Sequence, residues 1–302
     1  MNKDVVNDRI LVTGASGFLG WNMCRYFFSQ GRNVCGVWNA RDPDHAVASA
    51  HIQVDLTSVD LPALLERQAP TMVIHCAAMA LRAACDDDPA QARNVNVRLP
   101  QRLATACDER GCRFIHISTD LVFDGCNPPY VETAARNPLS VYAETKAEAE
   151  DAVLRAFPDS IIIRTALMYG LGPFSAPGSF LQWTLKALRE ATPLHLYTKQ
   201  FRTILYAPDV PRLIDAIIMA EAGPGLYHAA GPERISRYDA GLRIAKEFGF
   251  VGYGIVPAIL PRSEGLSLED DVSLSTAWTT ERTGMRFTAM GDGLAEIRRV
   301  LR

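Results

Sequence analysis

A hydroxyl, a phenol and an ammonium group lie in one stretch of the sequence, from Ser118 to Lys146. Tyr142 and Lys146 are four residues apart in a run without proline or glycine. On a helix they would therefore lie one turn apart on the same face. A neighbouring cation stabilises a phenolate and lowers the pKa of tyrosine from its ordinary value of about 10. The pair is a candidate for proton transfer.

Such a pair could support the reduction of a carbonyl group. A carbonyl that receives hydride at carbon needs a proton at oxygen, which a tyrosine can give while a serine or threonine hydroxyl holds that oxygen. Ser118 and Thr119 follow the apolar run Arg113 to Ile117. We expect them at the C-terminal edge of a strand, where open α/β sheets bind ligands. Taken alone, Y-x-x-x-K is weak evidence, because such a pair is usually a solvated helix face or a cation packed on a ring.

A glycine-rich turn near the start of the chain strengthens the catalytic interpretation. It lies between an apolar strand predicted at 9–13 and a helical pattern that continues through Phe28. Backbone N–H groups of such a turn can approach a pyrophosphate because no Cβ stands in the way. The spacing is G-x-x-G-x-x-G rather than G-x-G-x-x-G, and a merely flexible turn is the alternative. The candidate contacts are Gly14, Ser16, Gly17, Phe18, Leu19 and Gly20.

The end of the second predicted strand, Asn33 to Trp38, bears on the choice between NAD and NADP. An acid there would bind the ribose hydroxyls of NAD, but no acid occurs before Asp42. Arg41 could instead meet a 2′-phosphate, which favours NADP and leaves NAD open. A solvated surface arginine is the alternative. Asn39 is a further candidate contact.

The next two predicted strands, 51–55 and 71–76, should add contacts to the same cofactor. Asp55 and Leu56 fall where an adenine ring would lie, although Asp55 could also cap the helix predicted from Leu61 to Gln68. The second of these strands runs into small residues that allow a cofactor to approach closely. The candidate contacts there are Cys76, Ala77 and Ala78.

Strands and helices alternate through the first half of the chain. Helices are predicted at 90–110 and 140–156, and further strands at 113–118 and 160–164. This alternation predicts an α/β fold with a doubly wound parallel (Rossmann) sheet and right-handed crossovers. The acidic run Asp86 to Asp88, followed by a proline, is interpreted as the first turn of the next helix rather than as a metal site.

The regular alternation of strands and helices ends after Arg164. A loop rich in glycine and proline at 169–178 precedes shorter elements, and the C-terminal region is polar and broken by prolines. The shorter elements are helices at 180–190, 208–219 and 236–248 and strands at 194–197 and 225–230. We therefore predict a cofactor-binding Rossmann domain over 1–165, to which 203–231 returns. Segments 166–202 and 232–302 would form a smaller α/β substrate-binding lobe.

Composition excludes several classes of protein. The 302 residues are 48% hydrophobic with a net charge of −3, which suits a globular core and gives no general attraction to nucleic acid or acidic lipid. The N-terminus is polar and no later apolar run approaches membrane-spanning length, so we expect a cytoplasmic protein without a membrane segment. Seven Cys without C-x-x-C and six His without H-x-x-x-H indicate reduced thiols and argue against a metal site.

Together these segments resemble the extended short-chain dehydrogenase/reductase superfamily, and within it the dTDP-4-dehydrorhamnose reductase family. The resemblance covers nearly the whole chain. Its segments are VTGASGFLG at 12–20, HCAA at 75–78, NVN at 94–96, STDLVFDG at 118–125, NPLSVYAETK at 137–146, RTALMYG at 164–170, KQFRTILYAPDV at 199–210 and YHAAGPERISRYD at 227–239. STD-x-VFDG followed by PL-x-VY-x-x-TK is specific for the reductase branch.

The resemblance implies an NADPH-dependent reductase that acts on the 4-keto group of a nucleotide-activated deoxysugar, with a dTDP-linked sugar expected. Thr119 would orient the carbonyl and Tyr142 would donate the proton. Lys146 would bind the nicotinamide ribose and lower the pKa of the tyrosine. Asp120 would belong to a Thr-Asp pair near the site. A homodimer is compatible with the resemblance and not required by it.

The same analogy assigns further contacts. Three turn glycines would bind the pyrophosphate, Asp55 would contact adenine, and Ser118 would lie beside the cofactor. Asn96 would support the active site from its helix, with a buried asparagine satisfied by the backbone as an equal alternative. The expected substrate contacts are Met79, Val122, Phe123, Leu167, Gln200 and Arg202.

Three departures from the family pattern concern the cofactor and substrate contacts. Cys76 stands where the family usually has Asn, and Leu167 where it often has Trp. The segment KQFRTI places Arg202 within a pattern that is commonly DQ-x-G-x-P. Arg202 could clamp a nucleotide diphosphate through two hydrogen bonds, and an exposed loop arginine is the alternative. The expected catalytic trio of Thr119, Tyr142 and Lys146 follows the family pattern, whereas residues of the expected substrate pocket depart from it.

Two other functions fit the same resemblance. A nucleotide-sugar epimerase or dehydratase would keep NAD tightly bound, although the dehydratase commonly has an acidic pair after Thr, and here Asp120 is followed by Leu121. The regulatory β subunit of methionine adenosyltransferase also resembles this family and works by binding a partner. The intact trio argues against a non-catalytic protein.

Overall fold

A parallel seven-stranded sheet forms the centre of the protein. The computed structural model describes residues 8–173, 178–250, 254–259 and 270–301. The sheet order is β11-β6-β5-β4-β1-β2-β3, and every adjacent pair is parallel. Its strands are β1 (Arg9–Thr13), β2 (Asn33–Trp38), β3 (Ala50–Gln53), β4 (Met72–His75), β5 (Arg113–Thr119), β6 (Ile161–Thr165) and β11 (Gly225–Ala229). The predicted doubly wound fold is confirmed.

Helices cover both faces of this sheet. They are α1 (Phe18–Ser29), α2 (Leu61–Gln68), α3 (Arg82–Asp87), α4 (Pro89–Arg93), α5 (Leu99–Asp108), α6 (Val141–Ala156) and α8 (Asp209–Met219). Successive residues of β1 point to opposite apolar clusters: Ile10 and Val12 pack into one and Leu11 into the other. Because both faces are buried, the strands are nearly continuous apolar runs, as a parallel sheet requires.

A third apolar cluster lies beyond the sheet and is built from the second half of the chain. Its helices are α7 (Phe180–Arg189), α9 (Arg237–Glu247) and α11 (Met290–Val300), whereas α10 (Ala277–Thr283) packs on the first cluster through Trp278. Short strand pairs accompany them: β7 (Met168–Tyr169) with β10 (Leu205–Tyr206), β8 (Leu194–Tyr197) with β13 (Ile255–Ala258), and β9 (Phe201–Arg202) with β12 (Ile235–Ser236). The chain returns to the sheet at β11. The division into two domains at the stated residues stays a prediction.

Local signals explain where the site-bearing helices begin. The side chain of Ser140 accepts a hydrogen bond from Ala143 N and caps α6. Asp60 caps α2 in the same way through Ala63 N. These caps satisfy N–H groups that the first helical turn leaves without partners. Tyr142 and Lys146 thus enter a helix with a fixed start.

Three predictions about the elements were wrong in detail. The helix expected over 90–110 is α4 and α5 joined by a π-helical turn at Asn94–Arg98. Asp86 and Asp87 end α3, and only Asp88 caps α4. The C-terminal region, for which no element was predicted after residue 248, contains β13, α10 and α11. Burial of Met290, Leu294 and Ile297 stabilises α11 despite its glycines. Residues 1–7 and the centre of the loop at 169–178 lie outside the described residues.

The glycine-rich turn packs α1 directly on backbone. Gly14 has a φ of +70°, in the left-handed region that favours glycine. A Cβ on Gly14 would lie 2.8 Å from Ala77 N, and a Cβ on Gly20 would overlap the carbonyl oxygen of Gly14. The turn and the first turn of α1 can therefore approach each other only through glycine.

We expect Gly20→Ala to lower the free energy of unfolding by about 1–3 kcal/mol, because the added methyl group must displace backbone. The matched control is Gly291→Ala in the first turn of α11, where a Cβ meets nothing within 4 Å. That change should be neutral or mildly stabilising. Urea denaturation of both variants measures the difference, and equal stabilities would contradict this account of the turn.

Candidate active site

Two adjoining cavities open at the carboxyl edge of the sheet. The first has a volume of about 520 Å³ and the second about 400 Å³. Gly14, Gly17, Cys76 and Ala78 line both, so the glycine-rich turn lies at their junction. This placement suits an extended dinucleotide whose diphosphate crosses the turn.

The first cavity brings together the three residues predicted to be catalytic. Thr119 ends β5, Tyr142 lies in the first turn of α6, and Lys146 follows one turn later. All three line the cavity, together with Ser118 and Asp120. Phe18, Leu19 and Gly20 of the turn face the same space. The tertiary structure therefore assembles the predicted set, and the roles of its members stay proposals.

The chain itself raises the pKa of Tyr142. Burial is the largest cause, and the negative charge of Asp120 adds to it, whereas a hydrogen bond with Thr119 acts in the opposite direction. Lys146 is not among the causes of this shift in the protein chain, so its expected lowering of the tyrosine pKa stays a prediction. Tyr142 is therefore protonated at neutral pH, as a proton donor must be.

Lys146 is buried and held by the sheet. Its Nζ donates to Ile117 O at 2.6 Å and contacts His116 Nε2 at 3.1 Å. Burial lowers the pKa of Lys146 to about 8, although the charge of Glu150 opposes this. The ammonium is thus fixed at the end of β5 and titrates closer to neutral pH than an exposed lysine does.

Two arginines, Arg202 and Arg237, line the first cavity together with the candidate catalytic residues and form a cationic wall. Arg202 lies on β9 and is 5% exposed, so the alternative of an exposed loop arginine is wrong. Its Nε is 3.8 Å from Asp120 Oδ2. Arg237 Nη1 donates to Gln200 Oε1 at 3.3 Å, and its guanidinium lies 5.3 Å from the centre of the Phe180 ring. Burial lowers the pKa of Arg237 to about 10, and the charge of Arg202 contributes.

The second cavity contains the residues expected around the adenine and its ribose. They are Ser16, Asn39, Arg41, Asp55, Leu56, Cys76, Ala77 and Ala78. Asp55 does not cap α2; its carboxylate accepts hydrogen bonds from Thr57 N at 2.9 Å and Thr57 Oγ1 at 2.7 Å. Three residues that were not predicted, Gln91, Val95 and Leu99, line the same cavity. Their spacing of four residues along one helix face was the signal available.

Asn96 does not line either cavity. Its Oδ1 accepts from Met79 N at 2.8 Å, and its Nδ2 donates to Met79 O at 3.1 Å and to Thr145 Oγ1 at 3.0 Å. This matches the alternative of a buried asparagine that is satisfied largely by backbone. It nevertheless ties the segment after β4 to α6, between Tyr142 and Lys146.

Some expected contacts lie elsewhere or are already engaged. Val122 and Phe123 were wrong as substrate contacts, because both side chains are fully buried in the core and Phe123 stacks on Tyr130 with ring centres 4.1 Å apart. Met79 lines neither cavity. Ser118 lines the first cavity, but its Oγ donates to Glu150 at 2.6 Å. Leu167, Gln200 and Arg202 line it as expected, whereas Arg82 and Arg237 were missed.

Within the described residues, no three His, Cys, Asp or Glu side chains converge as a metal site requires. Every helix there is too short or too polar to cross a bilayer.

The sheet, the glycine-rich turn and the Thr-Tyr-Lys set define a dinucleotide-binding α/β protein of the extended short-chain dehydrogenase/reductase type. The family described as RmlD substrate binding domain matches residues 8–263, so the chain belongs to that family. The predicted resemblance is confirmed.

Individual relatives of the chain include reductases and a subunit of a methionine adenosyltransferase. It is 33% identical to a probable low-salt glycan biosynthesis reductase of Haloferax volcanii over 79% of each protein. It is 29% identical to methionine adenosyltransferase 2 subunit beta of Danio rerio over 82% of this chain and 76% of that one. A dTDP-4-dehydrorhamnose reductase from Clostridium acetobutylicum superposes with a TM-score of 0.80 at 26% identity, covering 97% of this chain and 99% of that one.

Three buried histidines predict how stability changes with pH. Burial is the main cause that lowers the pKa of His75 and His228 to about 3 and that of His116 well below 6.5. The unfolded chain takes up protons near pH 6.5 while the folded protein does not, so stability falls as the pH drops below 6.5.

Between pH 7.5 and 5.5 we expect the free energy of unfolding to fall by about 4 kcal/mol, about 1.4 kcal/mol for each histidine. Urea denaturation at the two pH values measures this difference. His228→Gln should reduce the difference by roughly a third, whatever its own stability. A stability that does not change over this range would show that these rings are not neutral in the folded protein.

Proposed function

We propose that this protein uses NADPH to reduce the 4-keto group of a nucleotide-activated deoxysugar. The observation that carries the proposal is that Thr119, Tyr142 and Lys146 line one cavity beside the glycine-rich turn. The reductases among the relatives support it. A dTDP-linked sugar is the expected substrate, and a homodimer and a cytoplasmic location stay predictions.

The residues at the cavity junction fit a dinucleotide. Gly14 and Gly17 offer backbone without a Cβ where the diphosphate would cross, and Lys146 presents its ammonium to the first cavity. NADPH, when bound, supplies the hydride. Arg41 and Asn39 line the second cavity, and Asp42, the first acid after β2, is engaged with His45 Nε2 at 3.0 Å. This arrangement favours NADP, because a 2′-phosphate would meet a guanidinium rather than a carboxylate.

The proton is supplied by the chain. Tyr142 holds its proton at neutral pH because burial and Asp120 raise the pKa of the phenol. Thr119 stands at the end of β5, where its hydroxyl can hold the carbonyl oxygen during the transfer. Lys146, one turn along α6, provides the positive charge that stabilises the phenolate left behind. A reaction that consumes a proton therefore needs a protonated tyrosine at its start.

We expect Tyr142→Phe to lower kcat by about 100-fold or more, because the general acid is removed. Binding of NADPH should change little, since only the hydroxyl is lost. Turnover measured by NADPH oxidation and affinity measured by fluorescence titration separate the two effects. Unchanged turnover with a competent substrate would contradict the assignment of the proton donor.

The cationic wall is proposed to bind the nucleotide diphosphate. Arg202 and Arg237 line the first cavity, and two guanidinium groups suit a dianion that accepts paired hydrogen bonds.

We expect Arg202→Ala to raise KM for the nucleotide sugar about tenfold, because one charge-assisted hydrogen bond to the diphosphate is lost. The affinity for NADPH should stay the same. Arg189→Ala, at the C-terminal end of α7, is the control, and an unchanged KM for Arg202→Ala would remove the idea.

The relative methionine adenosyltransferase 2 subunit beta supports a second candidate, a regulatory NADP-binding protein without turnover. The two candidates differ in one measurement, which is NADPH oxidation against a panel of nucleotide 4-keto-6-deoxysugars. A reductase oxidises NADPH with at least one of them. Clean cofactor binding with no turnover on any sugar would favour the regulatory candidate.

A further inference from the structure

Two buried histidines lie side by side beneath the candidate active site. His75 at the end of β4 and His116 of β5 are cross-strand partners, and their rings stack with centres 5.6 Å apart. Their side chains are 1% and 0% exposed. Burial lowers the pKa of each ring, and the charge of Lys146 adds to the effect. Both rings are therefore neutral at physiological pH.

In each ring of this pair, one nitrogen has a polar contact and the other has no hydrogen-bond partner among the described residues. His75 Nδ1 lies 2.8 Å from Thr13 Oγ1, and His116 Nε2 lies 3.1 Å from Lys146 Nζ. Among the described residues, His75 Nε2 and His116 Nδ1 have no hydrogen-bond partner. Buried polar atoms without partners lower stability, and an apolar pair at the same place would avoid the loss. Stability therefore does not explain why two histidines stand here.

The contact with Lys146 determines where His116 carries its proton. An ammonium has three donors and no acceptor, so a neutral His116 that accepts from it must be protonated on Nδ1. A second hydrogen of the ammonium goes to Ile117 O at 2.6 Å. These two contacts leave the third hydrogen for a group in the cavity that Lys146 lines.

We propose that His116 is a positioning residue for Lys146, braced by His75 and Thr13 against the glycine-rich turn. Thr13 immediately precedes that turn, and its hydroxyl also accepts a hydrogen bond from Ala77 N at 3.2 Å. One row of contacts thus joins the dinucleotide-binding turn to the ammonium. These contacts set the direction of the third hydrogen of the Lys146 ammonium. That this hydrogen is donated to the nicotinamide ribose rests on the proposed function.

Several titratable groups lie close to Lys146 in the sheet or along its own helix. They are His116 and His75 from the sheet, Cys76 after β4, Glu150 one turn further along α6 and Tyr142 one turn earlier. Burial lowers the pKa of Lys146, whereas Glu150 and Cys76 raise it. The hydrogen bond accepted by His116 also favours the charged form. Removal of that acceptor should therefore move the titration of Lys146 to lower pH.

The first experiment observes the His116 tautomer in the wild-type protein. Two-bond ¹H–¹⁵N spectra at pH 7.5 of protein with ¹⁵N-labelled histidine should show His116 neutral and protonated on Nδ1. The assignment comes from the signals that His116→Gln loses. A charged His116, or one protonated on Nε2, would overturn the proposal, because neither form can accept a hydrogen bond from Lys146 through Nε2.

The second experiment compares His116→Phe with His116→Gln, by fluorescence titration with NADPH between pH 7 and 9.5. We expect His116→Phe to weaken binding about tenfold at pH 7.5, with the alkaline loss of binding shifted to lower pH. Gln offers a side-chain oxygen near the position of Nε2, so His116→Gln should stay within roughly threefold of wild type. Wild-type affinity and pH dependence in a folded His116→Phe would overturn the proposal.

A control variant separates positioning from packing. His51 on β3 also has a buried ring nitrogen without a partner among the described residues, and it lines neither cavity. His51→Phe should bind NADPH like wild type. If His116→Phe melts at a lower temperature and His116→Gln fails to restore binding, the ring is only structural and the proposal fails. If the wild-type protein binds no NADPH, the proposed function is contradicted. The tautomer of His116 then still tests whether its ring accepts a hydrogen bond from Lys146.

Discussion

One buried ammonium at the end of the sheet fixes the geometry of the site. The Lys146 side chain is almost fully buried, and its charge is tolerated because the carbonyl of Ile117 and the ring of His116 replace the water it loses. An ammonium of this kind can be satisfied only where β5 presents that carbonyl. The position of α6 over the sheet follows, and with it the position of Tyr142 on the cavity wall.

Glu150, one turn after Lys146, also holds α6 against the sheet. Glu150 accepts from Arg164 Nε at 2.9 Å and Nη2 at 2.7 Å, from Arg136 Nη1 at 3.0 Å and from Ser118 Oγ at 2.6 Å. A buried carboxylate with this many donors is fully compensated, whereas removal of one charged partner typically costs about 3–5 kcal/mol. The contact ties α6 to the ends of β5 and β6. These contacts hold α6 against the edge of the sheet that carries Thr119, whereas Arg202 lies in a segment that departs from the family pattern.

Much of the fold could be predicted because its signals are local. The parallel strands are unbroken apolar runs, the glycine-rich turn stands between β1 and α1, and α2 and β8 begin and end at the predicted residues. The spacing of Tyr142 and Lys146 required a helix, and Ser140 supplied its cap. Local signals were weaker at the C-terminus, where glycines in α11 obscured an apolar face that is stabilised only by packing on the third cluster.

The sequence by itself determined the class of fold, the dinucleotide-binding turn and the identity of the candidate catalytic residues, because each depends on residue type and on spacing within a few turns. Only the tertiary structure decided which side chains meet across the sheet. It turned Val122 and Phe123 into the core, placed Arg202 beside Asp120, and directed the Lys146 ammonium to the sheet rather than to Tyr142. Those outcomes depend on contacts between residues that are distant in the chain, and on burial, which sets the pKa of each group and which local spacing does not encode.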